Sequence, residues 1–268
     1  MSKAVLCDAN KCIGCRACQV ACKQWNEMPG ETTTNTGSYE NPPKTTAYTL
    51  TKVHFSEADY DGKFHWVFTK IQCMHCEHPA CAAACLVGAF QKTEEGPVLY
   101  DDHKCIGCRY CMVACPFGIP AYQWDDPTPW VRKCTFCADR QTGGLKPACV
   151  TACPSGALKF SERDALIAEA HQRIAAEPSK YVNHVYGEEE VGGTSWLYLS
   201  PVPFDMLGMP VVGSEAVTVN VERAMGAVPP VLVGVAALMS GIYWLVKRRQ
   251  GSGGAVTPDD KERVGVPK

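Results

Sequence analysis

Sixteen cysteines in four groups of four constrain this chain more than any other feature. The groups are Cys12, Cys15, Cys18, Cys22; Cys73, Cys76, Cys81, Cys85; Cys105, Cys108, Cys111, Cys115; and Cys134, Cys137, Cys149, Cys153. The first and third share the spacing C-x2-C-x2-C-x3-C, and Pro116 and Pro154 follow the third and fourth. An internal repeat underlies them. Lys11–Cys22 and Lys104–Cys115 agree at ten of twelve positions, and Pro79–Phe90 and Pro147–Leu158 at seven of twelve. Duplication of a two-motif unit produces this order.

Disulfides, zinc and iron–sulfur clusters compete for so many cysteines. Cysteines three apart make strained disulfide loops. Zinc takes four thiolates, usually from two C-x2-C knuckles, so a three-cysteine loop with a fourth set back suits it poorly. The C-x2-C-x2-C-x3-C-P run is the bacterial ferredoxin signature: three thiolates wrap one cubane and the fourth ligates its neighbour. Sixteen ligands at four per cluster predict four [4Fe–4S] clusters. No cysteine in a group is replaced, so nothing points to a three-iron site. Loop length leaves the pairing of the groups open, because 19 residues separate the second from the third and 18 the third from the fourth.

The last 115 residues contain no cysteine and have another task. Ala224–Val246 is 23 residues without a charge, between Arg223 and Lys247. As a helix it reaches roughly 34 Å, enough for a hydrocarbon core. Pro229-Pro230 suits a first turn, and Tyr243 and Trp244 suit an interfacial aromatic belt. Lys247, Arg248, Arg249, Lys261 and Arg263 follow the helix, whereas Arg223 is the one cation between Pro201 and its start. The positive-inside rule therefore predicts a cytoplasmic tail and an exported cysteine domain. The N-terminus has no apolar run for a cleavable signal, which conflicts with that orientation.

Between these parts, Ser161-Glu162-Arg163-Asp164 predicts a helix N-cap. Ala165, Ile167, Ala168, Ile174 and Ala175 continue that helix until Pro178. Strands are expected at Tyr181–Tyr186 and Ser195–Leu199, and a polar loop over residues 26–47. The fold class is α+β: a duplicated bacterial-ferredoxin-like iron–sulfur domain with one C-terminal transmembrane helix. Its parts are the double ferredoxin-like domain (1–160), a helix and extended connector (161–223), the transmembrane helix (224–246) and a cytoplasmic tail (247–268).

Cys12-Ile-Gly-Cys-Arg-Ala-Cys-Gln-Val-Ala-Cys22, Gln72-Cys-Met-His-Cys76, Lys133-Cys-Thr-Phe-Cys137 and Gly192-Gly-Thr194 ahead of a single membrane helix carry a family resemblance. The chain resembles the four-cluster electron-transfer (beta) subunit of membrane-bound molybdenum or tungsten oxidoreductases, that of formate dehydrogenase above all. The resemblance implies that the first motif pairs with the fourth and the second with the third. One cluster then takes Cys12, Cys15, Cys18 and Cys153, and its neighbour Cys22, Cys134, Cys137 and Cys149. A third takes Cys73, Cys76, Cys81 and Cys115, and the last Cys85, Cys105, Cys108 and Cys111. Leu86 follows Cys85 where the family commonly has proline. The implied partners are a molybdopterin- or tungstopterin-containing catalytic subunit and a quinone-reducing membrane cytochrome b. The implied location is the inner membrane, with the iron–sulfur domain on the periplasmic side after export alongside a partner that carries a twin-arginine signal.

Other residues have plainer readings. Cys7 reads as a small buried residue on a strand. His75 and His78 lie in a motif already complete in cysteines, so packing around the ligands or solvent exposure is expected of them. Lys11, Arg16, Lys104, Arg109, Arg132 and Lys133 flank the cysteine loops and either offset cluster charge or are solvated. Gly234, Ala237 and Gly241 give the membrane helix a small-residue face.

The sequence holds no P-loop, no GxGxxG after a strand and no HExxH, so a non-catalytic electron conduit is expected. A similar subunit serving a nickel–iron hydrogenase is the alternative, and a zinc-stabilised structural protein the alternative of another class. Balanced charge, 26 Lys+Arg against 28 Asp+Glu, argues against nucleic acid as a partner. Each oxidised [4Fe–4S] core with four thiolates carries −2, so four take the formal −2 to about −10.

Overall fold

Strand β1 (Lys3–Asp8) is the keel of the cysteine-bearing part. Its Ala4-Val5-Leu6-Cys7 run is apolar without interruption because both faces of a central strand are covered. The chain continues through α1 (Ala17–Trp25), β2 (Lys52–Tyr60), β3 (Lys63–Ile71), α2 (Ala80–Ala83), β4 (Phe90–Lys92) and β5 (Val98–Tyr100). Next come α3 (Tyr110–Ala114), β6 (Ala121–Tyr122), β7 (Val131–Arg132), α4 (Ala138–Thr142) and α5 (Ala148–Thr151). The final elements are β8 (Leu158–Glu162), α6 (Arg163–Ala176), β9 (Trp196–Leu199) and α7 (Val219–Ser252). The structure is a computed structural model and describes residues 2–252. Residues 253–268, most of the expected cytoplasmic tail, lie outside the described residues.

In the three-stranded sheet, β1 pairs antiparallel with β8 (Val5 opposite Phe160) and parallel with β9 (Leu6 opposite Leu197). Side chains alternate across it. Ala4 and Leu6 pack with Leu166, Ala170 and Ile174 of α6, whereas Val5 and Cys7 pack with Phe136, Cys149, Trp196 and Tyr198. The sheet thus separates a helical layer from the cysteine layer.

The helix expected after Ser161 forms and stops before Pro178, but Glu162 occupies the N-cap without a side-chain cap. Its buried stripe is Leu166, Ala170, Ile174, spaced by four, while Ala165, Ala168 and Ala175 face solvent. The strand expected near Ser195–Leu199 is β9, whereas Tyr181–Tyr186 contains only one isolated bridge, Tyr186 to Tyr198. Val182 N–H bonds Ser200 and Tyr186 N–H bonds Tyr198, too sparsely for a ladder. Through β8, α6 and β9, the stretch read as a connector is built into the same compact unit, which runs to Thr218.

β2 and β3 form a nine-residue hairpin closed by Asp61-Gly62, both at positive φ (51° and 68°). Positive φ at both corner residues is the two-residue turn that matches strand twist. The long apolar helix α7 is a separate unit. Arg223–Arg249, 27 residues, is long and apolar enough to cross a membrane. It starts earlier than the uncharged run, because nothing between Val219 and Arg223 breaks a helix. Pro229 and Pro230 therefore lie inside it rather than in its first turn. Their missing N–H groups leave the carbonyls of Met225 and Gly226 without their usual helical partners. Lys247 and Arg248 stack on Tyr243 and Trp244, at 5.7 and 5.3 Å.

Candidate iron–sulfur site

The two K-C-I-G-C-R loops have the same backbone. Gly14 and Gly107 lie at φ +66° and +71°, and Arg16 and Arg109 at φ 59° and 63°, immediately before α1 and α3. This left-handed pair curls each loop so that amide protons face sulfur. Gly107 N–H donates to Cys105 Sγ at 3.4 Å, and Gly14 N–H serves Cys12 in the same way. The second and fourth motifs are also alike. His75 and Phe136 hold equivalent left-handed positions, and their rings meet at 4.8 Å. Phe136 N–H donates to Cys134 Sγ at 3.4 Å and Ala89 N–H to Cys85 Sγ at 3.2 Å. Such N–H···S bonds favour negative charge on sulfur.

Cysteines far apart in sequence come together. Cys12, Cys15, Cys18 and Cys153 line one cavity, with Cys7 and Lys70 also in its wall. Cys22 has Cys149 and Cys137 as neighbours, and Cys134 has Cys22 and Cys149. Cys76 faces Cys73, Cys115 and Cys81; Cys111 faces Cys105, Cys108 and Cys85. Neighbours across the sets are Cys18 with Cys149, Cys81 with Cys111 and Cys134 with Cys73. None of the 17 cysteines is in a disulfide. Among the described residues, no three His, Cys, Asp or Glu side chains converge closely enough for a single metal ion.

Cys18, Cys22, Cys81 and Cys111 are among the thiols held against ionisation. Burial, then neighbouring sulfurs, pushes Cys18 up to about 11 and Cys81 and Cys22 up to about 12, although Lys70 pulls down on Cys18 and Cys22 and Lys133 on Cys81. Burial and then Cys105, Cys108 and Cys85 take Cys111 to about 11. Packing thiolates this densely requires compensating positive charge, which an iron–sulfur core supplies. The donor set, its amide hydrogen bonds and the shared cavity fit such a group.

Around the sulfurs, the expected residues separate. Lys133 is buried and donates to the carbonyls of Val98 and Cys134. Lys11 and Lys104 are exposed and pair with Asp8 (4.0 Å) and Asp101 (3.1 Å). Arg16, Arg109 and Arg132 lie over the rings of Phe55, Tyr122 with Trp124, and Trp130. His78 is exposed, but His75 is fully buried; its Nδ1 accepts from Val98 N–H at 2.9 Å, placing the proton on Nε2. Burial, then Lys133, Lys92 and Lys70, depresses His75 well below the usual histidine range, so it is neutral. Cys7 is buried on β1 as expected, though it faces the first cysteine cavity.

Gly192-Gly193-Thr194 clamps the second motif: Glu77 N–H bonds the Gly193 carbonyl, and Ser195 N–H the Met74 carbonyl. A Cβ on Gly193 would meet the Arg163 guanidinium at 2.7 Å, the side chain that itself bonds the Thr194 carbonyl. The residue that sequence reading missed is Lys70, buried on β3. Its position three residues before Cys73 was visible, but not its burial.

Residues 11–89 and 64–163 each match a 4Fe-4S dicluster domain. The fold and the cysteine constellation therefore define a duplicated dicluster iron–sulfur protein, and two such domains fit four [4Fe–4S] clusters. The chain is 42% identical over 199 residues to the iron-sulfur subunit of the nitrate-inducible formate dehydrogenase of Escherichia coli K12, covering 73% of this chain and 67% of that subunit. It is 32% identical to the hydrogenase-2 operon protein HybA of E. coli O157:H7, covering 92% of this chain and 84% of that protein. A protein of Nitratidesulfovibrio vulgaris Hildenborough is 44% identical over 93% of this chain and 68% of its own length. The chain belongs to the family of iron–sulfur electron-transfer subunits that includes those of formate dehydrogenase.

Proposed function

We propose that this chain is the electron conduit of a membrane-bound formate dehydrogenase, linking a molybdopterin or tungstopterin catalytic subunit to a quinone-reducing cytochrome b. The observation that carries the reading is the cavity that joins Cys12, Cys15 and Cys18 to Cys153 across the length of the domain. It supports pairing of the first motif with the fourth, and hence the four ligand sets implied by the family resemblance. When bound, the clusters supply one-electron transfer and no open coordination position for chemistry on a substrate. The chain itself fixes their spacing, buries them to differing depths and points N–H groups at their sulfurs. α7 anchors the subunit in the inner membrane with its tail in the cytoplasm and its iron–sulfur domain in the periplasm, exported with a folded partner.

Iron and sulfide analysis of the anaerobically purified chain tests the ligand reading. About sixteen irons are expected, and fewer than about twelve would exclude four clusters in favour of zinc or partial loading. Co-purification of a pterin-containing large subunit tests the partner, and a topology reporter fused after Lys268 tests the orientation. A nickel–iron subunit in the purified complex would favour the second reading, which the similarity to the hydrogenase-2 operon protein over 92% of this chain supports.

A further inference from the structure

Lys70 is a fully buried cation, the most deeply buried lysine among the described residues. The residue is 2% exposed, on the last turnward stretch of β3. Its ammonium donates to Thr51 Oγ1 at 2.7 Å and Gln72 Oε1 at 2.9 Å, and lies 4.4 Å from the centre of the Trp196 ring. Among the described residues, no carboxylate lies within ion-pair distance of it. An ammonium buried with neutral partners alone is costly, so its counter-charge must be elsewhere. The groups around it that can carry that charge are cysteine sulfurs. Lys70 lines the cavity of Cys12, Cys15, Cys18 and Cys153, and its strongest electrostatic neighbours are Cys149, Cys18, Cys134 and Cys22. These belong to two of the four ligand sets. In the repeated half, counting back from Cys134 as from Cys73, the equivalent position is Val131, a buried valine.

We propose that Lys70 is a fixed internal cation that raises the reduction potentials of two of the four clusters, those held by the sets containing Cys18 and Cys22, and leaves the other two unchanged. The inference rests on the ligand sets proposed above. Reduction makes a thiolate-bound cluster more negative by one unit. A positive charge nearby, in a poorly screened interior, favours that reduced state. Thr51, Gln72 and the Trp196 ring hold the ammonium in place, so Lys70 acts through position and charge and ligates nothing.

The test is an EPR-monitored redox titration of the full, cluster-loaded chain, as wild type, Lys70→Met and Lys70→Arg, with iron measured first. For Lys70→Met, two of four couples are expected to move down, their reduced-to-oxidised ratio at fixed potential falling about tenfold, or about 59 mV for one electron. Lys70→Arg is expected to restore both. Full iron with all four couples at their wild-type potentials, or a uniform shift of all four, overturns the inference. Wild-type iron well below sixteen overturns the ligand reading instead. If Lys70→Met fails to load, Thr51→Val decides: it frees the ammonium without touching a cysteine, and fully loaded protein must show a shift confined to the same two couples. Unchanged potentials in that variant overturn the inference.

Discussion

The loops at 11–16 and 104–109 are the same object placed in two surroundings. Each exposes an isoleucine (Ile13 60%, Ile106 63%), each turns through glycine and arginine at positive φ, and each lays its arginine over an aromatic ring. They differ in what lies behind them. The first leads into a nine-residue helix and backs onto the β1 sheet; the second leads into five residues of helix before Pro116. Cys18 packs against the largest apolar cluster, whereas its counterpart Cys111 sits in a much smaller one around Phe90, Val98 and Val131. Duplication has preserved the ligand loop and varied the scaffold. Stability and potential can therefore diverge between halves with identical ligation chemistry.

Removing one ligand from each loop should divide the halves most sharply. Cys18→Ala and the equivalent Cys111→Ala are each expected to lower iron from about sixteen to about twelve per chain. Cys18→Ala should also cost much more in thermal midpoint, because its cavity opens into the main core. Equal midpoints by calorimetry would show that the surroundings do not matter.

Asp8 supplies the next effect. It is fully buried beside Arg173 (2.7 Å) and the Tyr181 hydroxyl (3.0 Å), tying β1 to α6, whereas its counterpart in the repeat, Asp101, is half-exposed and pairs with Lys104. Asp8→Ala should destabilise the sheet by about 2 kcal/mol, leaving the Tyr181 hydroxyl without its acceptor and Arg173 with Glu169, read from denaturant midpoints. Clusters in the second half should keep their EPR signals.

A smaller difference should separate Gly14→Ala from Gly107→Ala. Each places a side chain at positive φ, costing about 1–2 kcal/mol. At Gly14 the new Cβ also meets the Phe68 ring at 3.1 Å, whereas at Gly107 it meets only the movable Tyr122 hydroxyl at 3.2 Å. Gly14→Ala should be the less stable of the two in thermal melts.

The smallest effect is alkaline. Burial, then Asp8, raises Tyr181 to about 12. An unfolded tyrosine loses its proton near 10, so between these values the folded chain holds the extra proton. This contribution is complete below about pH 10 and disappears as pH rises toward 12. Tyr181→Phe should flatten that part of the midpoint-versus-pH curve, and an unchanged slope would count against the pairing.

What the sequence disclosed follows from how local each constraint is. The ligand loops are written within a dozen residues, and so is the apolar membrane helix, so both were legible. The Asp61-Gly62 hairpin had a local signature in its corner pair and its flanking strands, which went unread. Lys70 had none: a lysine near a cysteine motif is ordinarily solvated, and its burial depends on Thr51, Trp196 and the sheet behind it. The same holds for the face of α6. Its alanines were legible as helical, but which stripe turned inward was decided by Leu6 and Leu197 on distant strands. Tyr181–Tyr186 reads as a strand by composition, yet it meets only the end of β9 and has no ladder to join.

The central strand of the sheet also sets a schedule. β1 is made before its sheet neighbours, and one of them, β9, ends at Leu199. At ordinary rates of synthesis the two are separated by roughly 10–40 s. For most of that interval Cys12, Cys15 and Cys18 lack Cys153, and for all of it they lack the complete sheet that encloses their cavity. The loop at 11–16 is thus made well before it can be enclosed. A nascent chain must keep those thiols reduced and unclaimed by stray metals until nearly the whole cysteine-bearing unit exists.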